Sequence, residues 1–235
     1  MNIAVFGANG PTGRLVVADA LAVGHTVTAV TRHPDVFPLT HDNLRVFAAD
    51  VLDADSVDRA VVGQAAVLSS LGVPFGRKPI SVYSVGVANI VRAMRRHSVR
   101  RLAVISSSAV PPESRMRDTG GGLFFEHVLK PVIENTLGRT LYADMLRMET
   151  LVKASDLDWT IIRPSGLFGT DAVTDYSVAE DFLAARFTSR ADLADLLLRQ
   201  ATDARWVRKA VAVATSSEQP SVMQLIRGEA LSTKS

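Results

Sequence analysis

Short apolar runs alternate along this chain with stretches whose apolar residues repeat at helical spacing. Ile3–Phe6, Thr26–Val30, Leu44–Ala48, Ala65–Gly72, Leu102–Ile105, Trp159–Ile162 and Lys209–Ala214 read as strands, the fourth running into a turn. A helix is predicted over Leu15–Leu21, ended by Gly24, and a short one is opened by the N-cap residues of Asp53–Ser56. A long helix is predicted from Pro79, with Tyr83, Val87, Ile90 and Met94 on one face. Two more are expected over roughly 123–137 and 140–154, the second with Leu141, Met145, Met148 and Val152 on its apolar face. Ser189, followed three residues later by Asp192, has the pattern of a capping box, with Leu193, Leu196 and Leu197 as the buried side of the helix it starts. The segments 33–43 (with Pro34 and Pro38), 110–122 and 165–175 read as loops, and the tail after Ser216 as peripheral. The strands are apolar on both faces and alternate with helices. That is the pattern of an α/β chain with a doubly wound parallel sheet covered by helices on each side. No repeat or linker divides it, so one domain over 1–235 is expected, with a small substrate-side portion at about 164–235.

Composition narrows the chemistry. The 235 residues are 47% apolar, enough for one sizeable core. The absence of cysteine excludes disulfides and thiolate metal sites. The opening MNIAVFG lacks the pattern of a secretory signal, and no apolar stretch reaches the ~20 residues of a spanning helix, so a cytoplasmic protein with no membrane partner is expected. The net charge of +2 does not call for nucleic acid. Arg92, Arg95, Arg96, Arg100 and Arg101 gather near the end of the long helix; cations at a helix C-terminus are the favoured reading over a nucleic-acid patch. The five histidines show no metal-ligand spacing, and no metal is expected.

The candidate chemistry lies in the first thirty residues. Gly7, Gly10 and Gly13 follow the first strand at three-residue spacing, with Asn9, Pro11 and Thr12 between them, and open the first helix. Glycines let a pyrophosphate approach the backbone, and the first N–H groups of the helix have no internal partner. With a strand on each side, this is a Rossmann-type dinucleotide turn. The second strand ends in Val30-Thr31-Arg32-His33, without the acid that accepts from the ribose of NAD(H). Arg32 stands nineteen positions after Gly13, near the ~20 at which that ribose is read, and a guanidinium there suits a 2′-phosphate, so NADP(H) is predicted over NAD(H). Asp50 and Val51 stand where they could flank an adenine, or where an aspartate simply ends a strand. Leu71, Gly72, Ser106, Ser107, Ser108 and Pro164 fall at the carboxyl ends of later strands, where such sheets bind ligands.

The run Gly7-Ala8-Asn9-Gly10-Pro11-Thr12-Gly13 resembles the GxxGxxG turn of the extended and atypical short-chain dehydrogenases/reductases. Asp50-Val51 matches their adenine-contacting pair, Ser106–Ala109 their serine stretch, and METLVKASDLDWTIIRPSGL from Met148 to Leu167 a later motif. The resemblance covers about residues 1–215 and is nearest to the small NAD(P)H-binding proteins that include biliverdin-IXβ/flavin reductases and NmrA-like redox sensors. Family enzymes with full dehydrogenase chemistry carry Tyr-x-x-x-Lys ahead of the glutamate matched by Glu149; here those positions are Leu141 and Met145. Tyr142 is shifted by one residue, which turns a side chain by ~100° around a helix, and reads as a pocket or core residue rather than an acid.

The resemblance therefore implies an NADPH-dependent reductase that passes hydride, without a tyrosine acid, to a flat conjugated acceptor such as a flavin or quinone. Ser108 is the candidate catalytic residue, and Phe124, Phe125, Tyr142, Met145 and Phe168 are candidates for an apolar acceptor pocket. The alternative is a non-catalytic NADP(H) sensor acting through a protein partner. A nucleotide-sugar enzyme of the extended group fits less well, since little chain follows Arg163 for its substrate domain. A small-molecule acceptor, a monomer or small homo-oligomer, and no nucleic-acid partner complete the expectation.

Overall fold

The computed structural model describes residues 1–74, 79–110 and 138–216. Six strands come first: β1 (Asn2–Phe6), β2 (Thr26–Thr31), β3 (Leu44–Ala48), β4 (Ala66–Ser69), β5 (Arg101–Ile105) and β6 (Asp158–Pro164). Three short ones follow, β7 (Gly166–Phe168), β8 (Tyr176–Glu180) and β9 (Phe187–Ser189), and then β10 (Lys209–Thr215). The described helices are α1 (Pro11–Ala22), α2 (Ala54–Val61), α3 (Val82–Arg96), α4 (Arg139–Lys153) and α5 (Arg190–Arg199).

The main sheet has the order β3-β2-β1-β4-β5-β6-β10-β8, parallel except for β8, which runs antiparallel to β10 at the edge. The chain winds outward from β1 to β3 and then returns to β4 on β1's other side. The strand order reverses there, which opens a crevice above the carboxyl ends of β1 and β4. One face of the sheet packs α2, α3 and α4 around Phe6, Val67, Leu102 and Ile161; the other packs α1 and α5 around Ile3, Val5, Leu68 and Ile162. Burial on both faces explains why these strands are apolar throughout rather than alternating.

One helix start departs from expectation, and another is as expected but held in a different way. The long helix begins at Val82, not Pro79, and Ser81 at its N-cap makes no capping bond with its side chain. The cap comes from α4 instead. The fully buried Asp144 accepts from the N–H groups of Tyr83 (2.9 Å) and Ser84 (3.3 Å) and from the Ser84 hydroxyl, while Arg147 donates to it at 3.0 Å. Ser189 does cap α5, accepting from the Asp192 N–H at 3.0 Å. The box is not reciprocal, however: the Asp192 carboxylate accepts from Thr174, through N–H (2.7 Å) and hydroxyl (2.9 Å), and from the Thr215 hydroxyl. It ties the preceding loop and β10 to the helix start. The loop expected over 165–175 contains β7, which pairs with β9 in a second, two-stranded sheet; Thr188 joins that sheet to β10 by donating to the Val213 carbonyl at 2.7 Å. The helix expected over 123–137 lies outside the described residues.

Candidate functional site

The glycine turn lies at the crevice. Gly7 has φ +75°, a conformation that side chains other than glycine's rarely adopt, and a Cβ there would stand 2.7 Å from the Ser70 carbonyl oxygen. A Cβ on Gly13 would collide with the Gly7 carbonyl and come within 2.8 Å of the Ser70 hydroxyl. These two glycines let α1 and β4 close onto the turn. Ser70 locks that contact by donating its hydroxyl to the Phe6 (3.0 Å) and Gly7 (3.3 Å) carbonyls. Gly10 is different. It closes a turn by donating to Gly7 O at 3.0 Å and caps α1 in an extended conformation, and a Cβ on it would meet only that one carbonyl oxygen at 3.3 Å. Its outer side is open where Thr12 and Gly13, lacking intrahelical acceptors, present their N–H groups. Pro11, at the first helical position, has no N–H to satisfy. The residues present thus fit a dinucleotide pyrophosphate.

The neighbouring strand ends complete the crevice. The Ala8 N–H reaches Val30 O at 3.3 Å, which holds the turn against the end of β2. Beyond it, the Thr31 hydroxyl accepts from the His33 N–H at 3.2 Å, and Arg32 is left exposed with no partner among the described residues. Asp50 is exposed and folds its carboxylate back onto the Leu52 N–H at 2.9 Å. Val51 is buried in the space above Gly86 of α3, and its carbonyl accepts from the Asn89 side chain at 2.9 Å. Leu71 packs on the core, whereas a Cβ on Gly72 would meet nothing among the described residues. The Val73 N–H donates to the Tyr83 hydroxyl at 3.3 Å, which ties this loop to α3; burial pushes that hydroxyl up to about 12.

At β5 the serine stretch divides. Ser106 is buried and gives its hydroxyl to Glu149 at 2.7 Å, so its side chain is turned away from the crevice. Ser107 accepts from the Ala109 N–H at 3.2 Å. The Ser108 N–H donates to the carbonyl of the buried Pro164 at 3.0 Å, and the half-buried Ser108 hydroxyl has no partner among the described residues.

Behind the serines lies a pair that sequence reasoning passed over. The side chains of Glu149 and Arg163 are 1% and 5% exposed. Arg163 donates to both carboxylate oxygens, at 3.0 and 2.6 Å, and Lys153 adds a contact at 3.2 Å. Burial alone would raise the Glu149 carboxyl; the Arg163 guanidinium, the Ser106 hydroxyl and Lys153 override it and hold the group below its usual value. The signal was an arginine inside a strand apolar on both faces, which requires a carboxylate partner.

On α4, Leu141 and Met145 pack in the core and Tyr142 is half-buried beside it. Phe168, expected to line a pocket, is 1% exposed and meets the ring of Phe187 edge-on at 6.4 Å, so it is a core residue here. Phe124 and Phe125 lie outside the described residues. The arginines at the end of α3 engage carboxylates: Arg95 with Asp156 (2.8 Å), Arg96 with Asp58 (3.8 Å) and Arg100 with Asp158 (3.2 Å). Among the described residues no group of three potential ligands could hold a metal ion, and no helix is long and apolar enough to cross a membrane.

Comparison with known proteins agrees with this geometry. Residues 7–204 match the model of a family described as NAD(P)H-binding. A chloroplastic Arabidopsis thaliana protein without an assigned function is 30% identical over 173 residues, 69% of this chain and 58% of the relative. An uncharacterised Mycobacterium tuberculosis protein is 35% identical over 117 residues; that match takes in 49% of this chain but only 13% of the relative. Among solved structures, an oxidoreductase from Lactococcus lactis superimposes with a TM-score of 0.77 at 16% identity, covering 97% of this chain and 96% of that one. An anaerobilin reductase from Escherichia coli O157:H7 gives 0.75 at 19%, covering 94% and 100%. A Veillonella parvula short-chain dehydrogenase/reductase in complex with NADP gives 0.73 at 18%, covering 92% and 95%. At these identities the structures speak for the fold. With a family match spanning most of its length, this chain belongs to the NAD(P)H-binding family.

Proposed function

We propose that the protein is an NADP(H)-dependent reductase that passes a hydride to a flat conjugated acceptor, a flavin, quinone or similar molecule, without a Tyr–Lys pair. The observation that carries this reading is on α4. The positions that match the family's tyrosine and lysine are Leu141 and Met145, 5% and 7% exposed and packed in the core. Nothing at those positions can donate a proton, so an acceptor that takes hydride without a dedicated acid fits best.

The residues divide the work. Gly7, Gly10, Pro11, Thr12 and Gly13 hold the pyrophosphate on the N-terminus of α1. Arg32 grips the 2′-phosphate, and Asp50 and Val51 border the adenine. Leu71, Gly72, Ser107 and Pro164 form the floor beneath the nicotinamide, whose chemistry when bound is hydride donation. Ser108 offers its hydroxyl, which has no partner among the described residues, to the acceptor's oxygen or the nicotinamide edge, and protons come from water. Tyr142 borders the acceptor. The relatives without an assigned function and the E. coli anaerobilin reductase, which shares the fold, leave the acceptor open among conjugated ring systems.

Purified protein incubated with NADPH and a panel of flavins, quinones and dyes, followed at the nicotinamide absorbance, tests this. Turnover of NADPH with at least one acceptor is expected, and with it a preference for NADPH over NADH. Tight binding that differs between NADP⁺ and NADPH, with no turnover, would point instead to a redox sensor that acts through a protein partner.

A further inference from the structure

The first turn of α1 carries a charge of the wrong sign for its place. A helix N-terminus is the positive end of its dipole and favours carboxylates. Yet α1 has no acidic residue in its first turn and carries Arg14 there. Arg14 is exposed and has no ion-pair partner among the described residues. Its guanidinium donates through both Nε (3.1 Å) and Nη2 (2.8 Å) to Oδ1 of Asn9. An arginine only donates, so this contact fixes which end of the Asn9 amide faces it and directs the amide NH₂ the other way. Asn9 follows Ala8, whose N–H is bonded to the end of β2 at Val30, two residues before the unpartnered Arg32.

Two guanidiniums without an ion-pair partner among the described residues therefore stand on two segments, the glycine turn with its oriented amide and the end of β2, which the Ala8–Val30 bond holds together. A local rule broken without compensation among the described residues marks a functional position. We infer that Arg14 is a specificity-determining positioning residue: it holds Asn9 so that the amide N–H and Arg32 close on the 2′-phosphate of NADP(H) from two sides. The inference rests on the reading of this turn as an NADP(H) site. It assigns to Arg14 and Asn9 a selectivity that Arg32 alone would otherwise carry.

Wild type, Arg14→Ala, Arg14→Lys, Asn9→Ala, the Arg14→Ala/Asn9→Ala double variant and Arg32→Ala are titrated with NADPH and with NADH, following nicotinamide fluorescence. Loss of a hydrogen bond to a charged phosphate weakens binding by about tenfold, so Arg14→Ala and Asn9→Ala are each expected to lose about tenfold for NADPH while NADH binding stays near wild type. The double variant is expected to bind NADPH no more weakly than either single one, because both remove the same contact. Arg14→Lys keeps the charge but not the two-point hold on Asn9, and falls between wild type and Arg14→Ala. Equal losses for both dinucleotides would overturn the inference and assign Arg14 to the pyrophosphate; additive losses in the double variant would overturn the route through Asn9. A wild type that binds NADPH and NADH equally would remove the NADP(H) reading itself. A selective wild type whose selectivity survives Arg14→Ala removes only this inference.

Discussion

At the scale of single residues, glycines around the crevice have different reasons to be glycine, and substitution separates them. Gly13 is constrained by packing: a Cβ there strikes the Gly7 carbonyl and the Ser70 hydroxyl, and Ser70 cannot move without giving up its bonds to Phe6 and Gly7. Gly13→Ala is expected to destabilise the protein by about 1–3 kcal/mol through overpacking, measured by urea unfolding, and to abolish dinucleotide binding. Gly72 is the contrast, since a Cβ on it meets no atom of the described residues. Gly72→Ala is expected to leave stability within about 0.5 kcal/mol of wild type. If the space beside it belongs to the nicotinamide, the same variant weakens NADPH binding; unchanged stability with unchanged affinity would remove Gly72 from the site. Ser108 is tested by turnover. Its hydroxyl has no partner in the described chain, so Ser108→Ala is expected to keep the wild-type unfolding midpoint and lower the rate with the acceptor. An unchanged rate would end its catalytic role.

At the scale of elements, what the sequence disclosed follows burial. β1, β2, β4 to β6 and β10 were legible because each is an apolar run enclosed between helix layers, with turn residues at its ends; β3, at the edge and only partly buried, was legible because Leu44, Val46 and Phe47 still stand out between polar loops. β7 and β9 were not: each has three residues, too few for any periodicity, and they exist because they pair with one another. β8 is a half-buried edge strand in YSVAE, whose alternation is too short to rise above a loop. The start of α3 was misplaced for a different reason. A proline is a sound local start signal, but here the donors that decide where the helix begins are satisfied from α4, sixty residues away in sequence, and no local pattern reports that. Asp144 is therefore a stability element for two helices at once. Removing it leaves the first N–H groups of α3 and the Ser84 hydroxyl without this acceptor, and Arg147 with the Ile80 carbonyl alone. Asp144→Ala is expected to cost about 3 kcal/mol, measured by denaturant unfolding. Asp144→Asn keeps one acceptor oxygen and should lose less. If both variants unfold like wild type, α3 is held by packing alone.

For the molecule as a whole, the glycine turn at the crevice was legible and the buried cluster behind the serine stretch was not. Three glycines between two strands, and an arginine about twenty residues on, form a local pattern. The Ser106–Glu149–Arg163 cluster draws one residue each from the segment after β5, from α4 and from β6, and only the fold brings them together. This cluster joins the strand ends behind Ser107 and Ser108 to α4, so it makes the crevice depend on the folded sheet. It also sets a pH limit. Glu149 is held below its usual value in the folded protein, so its contribution to stability is fully present above the unfolded carboxyl's ordinary 4.5 and is lost as pH falls below that, through the folded value. Thermal unfolding followed from pH 7 to pH 3 is therefore expected to show a midpoint that declines in acid. Glu149→Gln removes that titration while leaving Arg163 buried against a neutral partner. It is expected to unfold at a lower temperature at pH 7, by the equivalent of about 3 kcal/mol, and to decline less steeply than wild type below pH 4.5. Parallel acid profiles for the two proteins would show that other carboxylates set the limit, and that the buried pair positions the serine stretch without governing the protein's response to acid.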